Sequence, residues 1–169
     1  MKIAIVGSHG VGKTSLANAL SAKLGYPILP DIVREEAIKK GFPISEATPP
    51  ETQIWLVARQ LELERTSGKN WIADKNLWDY YIYGRVILKE KKVVDVIKYL
   101  VERNAKYDRV FYLPIEFPLE DDGVRSTDPV FQKAIDKSFK EYLDSTKVKY
   151  YRLTGSVEDR VKEALKYLK

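Results

Sequence analysis

The stretch KIAIVGSHGVGKTSLANAL, residues 2–20, constrains this chain more than any other. A short apolar run leads into Gly7-Ser8-His9-Gly10-Val11-Gly12-Lys13-Thr14, which fits G-x-x-x-x-G-K-[ST], and an alanine- and leucine-rich helical pattern follows. Glycines let the backbone curl so that its N–H groups point inward, and the helix start adds partial positive charge. At ordinary glycine usage the pattern arises by chance in fewer than about one in a hundred chains of this length. It implies a cradle for a nucleoside triphosphate, with Lys13 reaching the β- and γ-phosphates and the Thr14 hydroxyl on Mg²⁺. Gly7, Ser8, His9, Gly10, Val11, Gly12 and Ser15 complete the nucleotide-binding set. His9 is the only histidine and reads as a turn residue supplying backbone, not as a base. A dinucleotide fingerprint is excluded, because the order is not G-x-G-x-x-G and a lysine follows.

Behind this cradle, apolar runs alternate with helical periodicity. The expected strands are Lys2 to Val6, Tyr26 to Leu29, Trp71 to Ala73, Arg109 to Leu113 and Val148 to Leu153. Near-continuous apolar runs suit strands covered on both faces. Val93, Ile97, Leu100 and Val101 share one helical face; so do Phe131, Ile135, Phe139 and Tyr142, and again Val157, Val161, Ala164, Leu165 and Leu168. Asp128-Pro129 marks a helix start, and Ser156 with Asp159 resembles a capping box. Residues 42–50 and 114–127 read as loops. Strand–helix alternation of this kind predicts an α/β chain with a parallel sheet and right-handed crossovers.

Composition narrows the setting. The 169 residues suit one domain, 1–169, and 44% hydrophobic content supports a core. No apolar run approaches the roughly 20 residues that span a bilayer. Gly7 and Ser8 interrupt the first oily run too early for a signal peptide. A cytoplasmic protein with no membrane partner is the expectation. With no cysteine, disulfides and thiolate metal sites are excluded. The net charge of +5 comes from lysines scattered over amphipathic helices. It reads as a field that favours polyphosphate more than as a nucleic-acid surface.

The class of triphosphate chemistry follows from what accompanies the cradle. There is no N-K-x-D motif of the kind that reads guanine. The third strand ends Ala73-Asp74-Lys75-Asn76, without the Glu that orients water in motor-type ATPases. Both absences favour a kinase. Asp74, at the carboxyl end of a strand, is placed to polarise a substrate hydroxyl or to hold magnesium, if that strand neighbours the first; the alternative is a cap on the next helix. Arg125, in the loop before a long helix, is placed to fold over the triphosphate and neutralise charge; the alternative is a solvent-exposed arginine. Asp31 and Arg34 open a helix at the same sheet edge and are candidates for sugar hydroxyls and for an anionic or aromatic part of the acceptor. Trp55 and the stretch Trp78 to Tyr83 offer rings for stacking, with core packing the better reading for most of them.

The segments GSHGVGKTSL, DIVREEAIKKGFP, WIADKNLWDYYIYG and DDGVRSTD, in this order and spacing, resemble the small P-loop kinases related to the nicotinamide riboside kinase domain, a group also described as AAA-type ATP-binding proteins. The resemblance extends to about Leu153. It implies a P-loop NTPase three-layer sandwich like that of adenylate kinase, with a five-stranded parallel sheet in the order 2-3-1-4-5, helices on both faces and a lid around 114–128. By resemblance Lys13 and Thr14 serve ATP and magnesium, Asp31 and Arg34 the acceptor, Asp74 is the acid of an Asp-Arg pair, and Arg125 is the lid arginine. Two departures stand out: Lys75 replaces the Arg of that pair, and Asp31 replaces a Glu. The expected function is ATP- and Mg²⁺-dependent phosphoryl transfer to a nucleoside, nucleotide or nicotinamide-riboside-like acceptor by a monomer or homodimer. The alternatives are a partner-coupled NTPase without a small acceptor and a polynucleotide 5′-hydroxyl kinase.

Overall fold

Alternation along the first strand, β1 (Lys2–Val6), decides the layering. Ile3 and Ile5 pack with Leu16, Ala17 and Leu20 of α1 (Lys13–Leu24) and with Val161 and Ala164 of α7 (Val157–Lys166). Ala4 and Val6 face the other way, into a larger cluster that also holds Leu56, Leu77, Ile97 and Phe139. That cluster belongs to α2 (Ile32–Lys39), α3 (Pro50–Thr66), α4 (Leu77–Ile87), α5 (Lys91–Asn104) and α6 (Pro129–Ser145). The result is helix, sheet, helix. Burying one such apolar side chain stabilises the fold by roughly 1.5–3 kcal/mol, so the sheet is fixed from both faces.

The computed structural model describes residues 1–29, 31–44, 46–119 and 126–168, with the backbone alone at Ile32 and Arg34. Its five strands lie in the order β2-β3-β1-β4-β5, where β2 is Ile28–Leu29, β3 Trp71–Ala73, β4 Arg109–Tyr112 and β5 Tyr151–Arg152. All four pairings are parallel, so the expected strand order holds. Ala4 pairs with Ala73 of β3 and with Val110 of β4, which places β1 at the centre.

Three strands are shorter than the sequence suggested. β2 loses Tyr26 and Pro27; the Pro27 carbonyl accepts from Ile72 N–H at 3.0 Å, but proline has no N–H to return a bond. β4 stops at Tyr112, although Leu113 N–H still reaches Val6 O at 2.9 Å. β5 is an edge strand in register with β4 at Tyr151 and Arg152, with Leu153 N–H still reaching Tyr112 O at 3.0 Å, while Val148 N–H turns back to Thr146 O. The caps read from sequence are present: Asp128 accepts from Val130 N–H at 2.8 Å, and Ser156 with Asp159 forms a capping box. Among the described residues no helix is long and apolar enough to cross a membrane.

Candidate active site

The loop between β1 and α1 has a backbone that side chains would block. Gly7 has φ 143°, and a Cβ there would meet Leu113 O at 2.4 Å. Gly12 has φ 87°, and its Cβ would meet the Arg160 guanidinium at 3.0 Å. The loop thus curls tightly into the first turn of α1. Lys13 is 8% exposed, and its Nζ donates to Gly7 O at 2.9 Å and Ser8 O at 2.6 Å. The ammonium is held inside the ring of main-chain amides.

Because β3 pairs with β1, the residue after β3 emerges beside this loop. Thr14 Oγ1 donates to Asp74 Oδ2 at 2.7 Å. A cavity of about 760 Å³ opens here, lined by His9 through Ser15 on the phosphate side and by Asp31, Gln53, Tyr80 and Tyr83 further along. Gly7 and Ser8 are buried and do not line it. Gly155, Ser156 and Arg160 line it as well.

Asp31 precedes α2, and its Oδ1 accepts from the Tyr80 hydroxyl at 3.2 Å. Gln53 of α3 donates to Tyr80 O at 2.5 Å. Lys75 lies 3.7 Å from Asp79 Oδ1 and 4.4 Å from the centre of the Tyr83 ring. Burial works against the Lys75 ammonium, but the carboxylate of Asp79, with Tyr83, Asp31 and Asp74 behind it, outweighs burial, and Lys75 is pushed up to about 12. Burial raises Asp79, against the pull of Lys75 and Lys13. Lys75 therefore acts as a point charge within this acid-rich wall rather than as a fork.

The aromatic stretch divides: Trp78 and Tyr81 are core, whereas Tyr80 and Tyr83 line the cavity. Trp55 is edge-on to Phe42 at 5.2 Å between ring centres, away from that wall. His9 gives more than backbone. The residue is 7% exposed, its Nδ1 lies 3.1 Å from the Tyr83 hydroxyl, and its carbonyl accepts from Gln132 of α6 at 2.8 Å. Arg125, with Glu120, Asp121 and Asp122, lies outside the described residues, as does the Arg34 side chain. The centre of the expected lid therefore lies outside them too.

Several charged residues here escaped the sequence reading. Arg160 of α7 is 2% exposed; it donates to Val11 O at 2.7 Å and to Glu116 Oε2 at 2.7 Å. Glu116 also accepts from Gly155 N–H at 3.0 Å. One buried guanidinium thus ties the phosphate loop to the turn before α7. The signal was the spacing of Val157, Arg160, Val161 and Ala164 on one helical face. Asp79 was announced by Asn76-x-x-Asp79, a capping box now seen to start α4.

Residues 2–160 match the model of a family described as an AAA domain. Deoxyguanosine kinase of Bacillus subtilis (strain 168) is 30% identical over 159 residues, which cover 85% of this chain and 74% of the relative. The chain belongs to this family of small P-loop nucleoside and nucleotide kinases. A putative adenylate kinase of Thermococcus gammatolerans (strain DSM 15229 / JCM 11827 / EJ3) is 31% identical over 111 residues, covering 65% of the present kinase and 60% of the relative. Solved structures share the fold. Deoxyadenosine kinase from M. mycoides with bound dCMP superposes with a TM-score of 0.76 at 19% identity, over 99% of this kinase and 98% of that chain. NadR in complex with NR gives 0.77 at 14% identity, over 99% of this kinase and 50% of that chain.

Proposed function

We propose that this kinase transfers the γ-phosphoryl group of ATP, with Mg²⁺, to a small acceptor: a nucleoside, a nucleotide or a nicotinamide-riboside-like molecule. The observation that carries the reading is the Thr14–Asp74 contact at the point where the phosphate loop meets the wall formed by Asp31, Tyr80 and Tyr83. Donor and acceptor groups would share one cavity. Its volume, about 760 Å³, falls in the range of small-molecule sites.

The oxygen pair of Thr14 and Asp74 fits magnesium, a hard cation that takes one or two protein oxygens and draws the rest of its shell from phosphate and water. Among the described residues no cluster of three or more His, Cys, Asp or Glu is placed to hold a metal ion. A cation here would therefore depend on phosphate oxygens. When bound, it supplies neutralisation of charge on the β- and γ-oxygens. Lys13 supplies a second positive group from within the loop, and the main-chain N–H groups fix the position of the phosphates. Asp31, oriented by the Tyr80 hydroxyl, is the carboxylate on the acceptor wall that can take a hydrogen bond from an acceptor hydroxyl. Arg125 keeps its proposed lid role on sequence grounds.

Catalysis of this kind is positioning plus charge neutralisation. A cytoplasmic monomer or homodimer is the setting proposed. The test is ADP release from ATP and magnesium with and without a panel of nucleosides, nucleotides and nicotinamide riboside. Acceptor-dependent release with a phosphorylated product supports the reading. Hydrolysis indifferent to every small acceptor overturns it in favour of a partner-coupled NTPase.

A further inference from the structure

Behind the cavity, three side chains without a role in the reaction meet the start of α4. Glu64 of α3 is 5% exposed. Its Oε1 accepts from Leu77 N–H at 3.0 Å, from Gln60 Nε2 at 3.1 Å and from the Tyr107 hydroxyl at 3.1 Å. Leu77 is the first residue of α4, and its N–H is one of the donors that a helix start leaves without an intrahelical partner. Asn76 covers Trp78 N–H at 3.1 Å. A carboxylate from a different helix therefore completes the cap. Gln60 Nε2 also donates to Lys75 O at 3.1 Å. One buried amide thus touches both the carboxylate and the main chain beside Asp74.

We propose that Glu64, with Gln60 and Tyr107, is a proton-dependent positioning group that holds the end of β3 and the first turn of α4 in place for phosphoryl transfer. As a carboxylate, Glu64 accepts from all three donors and complements the positive end of α4. As an acid, one of its oxygens becomes a donor and its accepting capacity falls. Among the described residues the buried Gln60 Oε1 has no hydrogen-bond partner. It belongs to the amide whose Nε2 donates to Glu64, so a turn of that amide would offer an acceptor for the proton. The bonds to Leu77 and Tyr107 then loosen, and Lys75 with them through Gln60.

The surroundings support this behaviour. Burial pushes the Glu64 carboxyl up to about 7, against Gln60, Leu77, Tyr107 and the Lys2 ammonium on β1. Tyr107, in the segment before β4, is held protonated, by burial first and then by Glu64, with Asp79 of α4 adding to it. The Tyr107 ring is wedged edge-on to Trp71 and Trp78, at 6.0 and 4.9 Å between ring centres.

The kinetic readout rests on the kinase reading, whereas the titration of Glu64 does not. Turnover and acceptor kcat/KM are measured across the neutral range for the full chain and for Glu64→Gln. The wild type is expected to gain activity through about pH 7, with KM for ATP unchanged. Glu64→Gln is expected to lack that limb and to lose roughly tenfold in acceptor kcat/KM, the scale of one hydrogen bond to a charged group. A limb that persists in Glu64→Gln overturns the proposal. If that variant does not fold, carboxyl NMR of glutamate-labelled wild type decides, with Tyr107→Phe identifying the Glu64 signal. A midpoint near neutrality supports the proposal, and one near the ordinary 4.5 overturns it. If no acceptor is ever phosphorylated, the functional reading fails while the NMR titration still decides on Glu64.

Discussion

The Thr14 hydroxyl donates to the Asp74 carboxylate across 2.7 Å, joining the first turn of α1 to the end of β3. Two consequences follow for Asp74→Asn. The amide keeps the size of the side chain but loses the charge a divalent cation needs. Turnover should fall by about a hundredfold or more, and the magnesium concentration giving half-maximal rate should rise. ATP binding measured without metal should stay close to that of the wild type. A variant with unaltered magnesium dependence would remove Asp74 from the metal site.

Lys13→Ala tests the cradle itself. The Lys13 ammonium is held by Gly7 O and Ser8 O, so truncation removes the positive charge from the centre of the ring. Calorimetry with ATP and magnesium should show clearly weaker association, and turnover should drop by two to three powers of ten, the range seen when one preorganised charge-stabilising group is removed. Full activity in this variant would sink the assignment of the loop as the phosphate site.

The nearness of Thr14 and Asp74 was legible in the sequence because the motif fixes the loop and a strand end must lie where neighbouring strands end. Leu113 and Val148 misled because apolar residues that pack beside a sheet look like residues within it. Glu64 and Arg160 were missed for a related reason. Periodicity marks which helical face is apolar, and a charged residue on that face reads as an interruption rather than as a buried partner. Their partners, Tyr107 and Leu77 for Glu64 and Val11 and Glu116 for Arg160, are far away along the chain. Only the fold brings them together.

Lys75 and Asp79 form a pair that should behave as a unit. Asp79 is fully buried, and the Lys75 side chain is 19% exposed at 3.7 Å. Lys75→Met leaves a buried carboxylate without its cation and should cost about 3–5 kcal/mol. Adding Asp79→Asn should recover much of that loss, although Asn also disturbs the cap on Asn76 N–H. Urea unfolding of the two single variants and the double variant measures the coupling. Additive losses would mean that the two groups do not sense each other.

Glu64 also sets a pH dependence of stability, and its sign is opposite to that of an ordinary salt-bridged carboxylate. The folded chain holds the Glu64 proton until about pH 7, whereas the unfolded chain releases it near 4.5. Below that lower value both states carry the proton and the full contribution is present. As pH rises through the window the unfolded state ionises first, so it binds fewer protons and stability falls. Above the upper value both states are ionised and the loss is complete, at about 3 kcal/mol for a shift of this size. Glu64→Gln has no proton to release there. The stability difference between wild type and variant should therefore swing by that amount, against the wild type, between about pH 5 and about pH 8, read from urea midpoints at each pH. Parallel stability curves would show that the carboxyl does not titrate in this window. The same ionisation that lowers stability is the one expected to raise turnover, a trade familiar where a site holds a group in an unfavourable state for function.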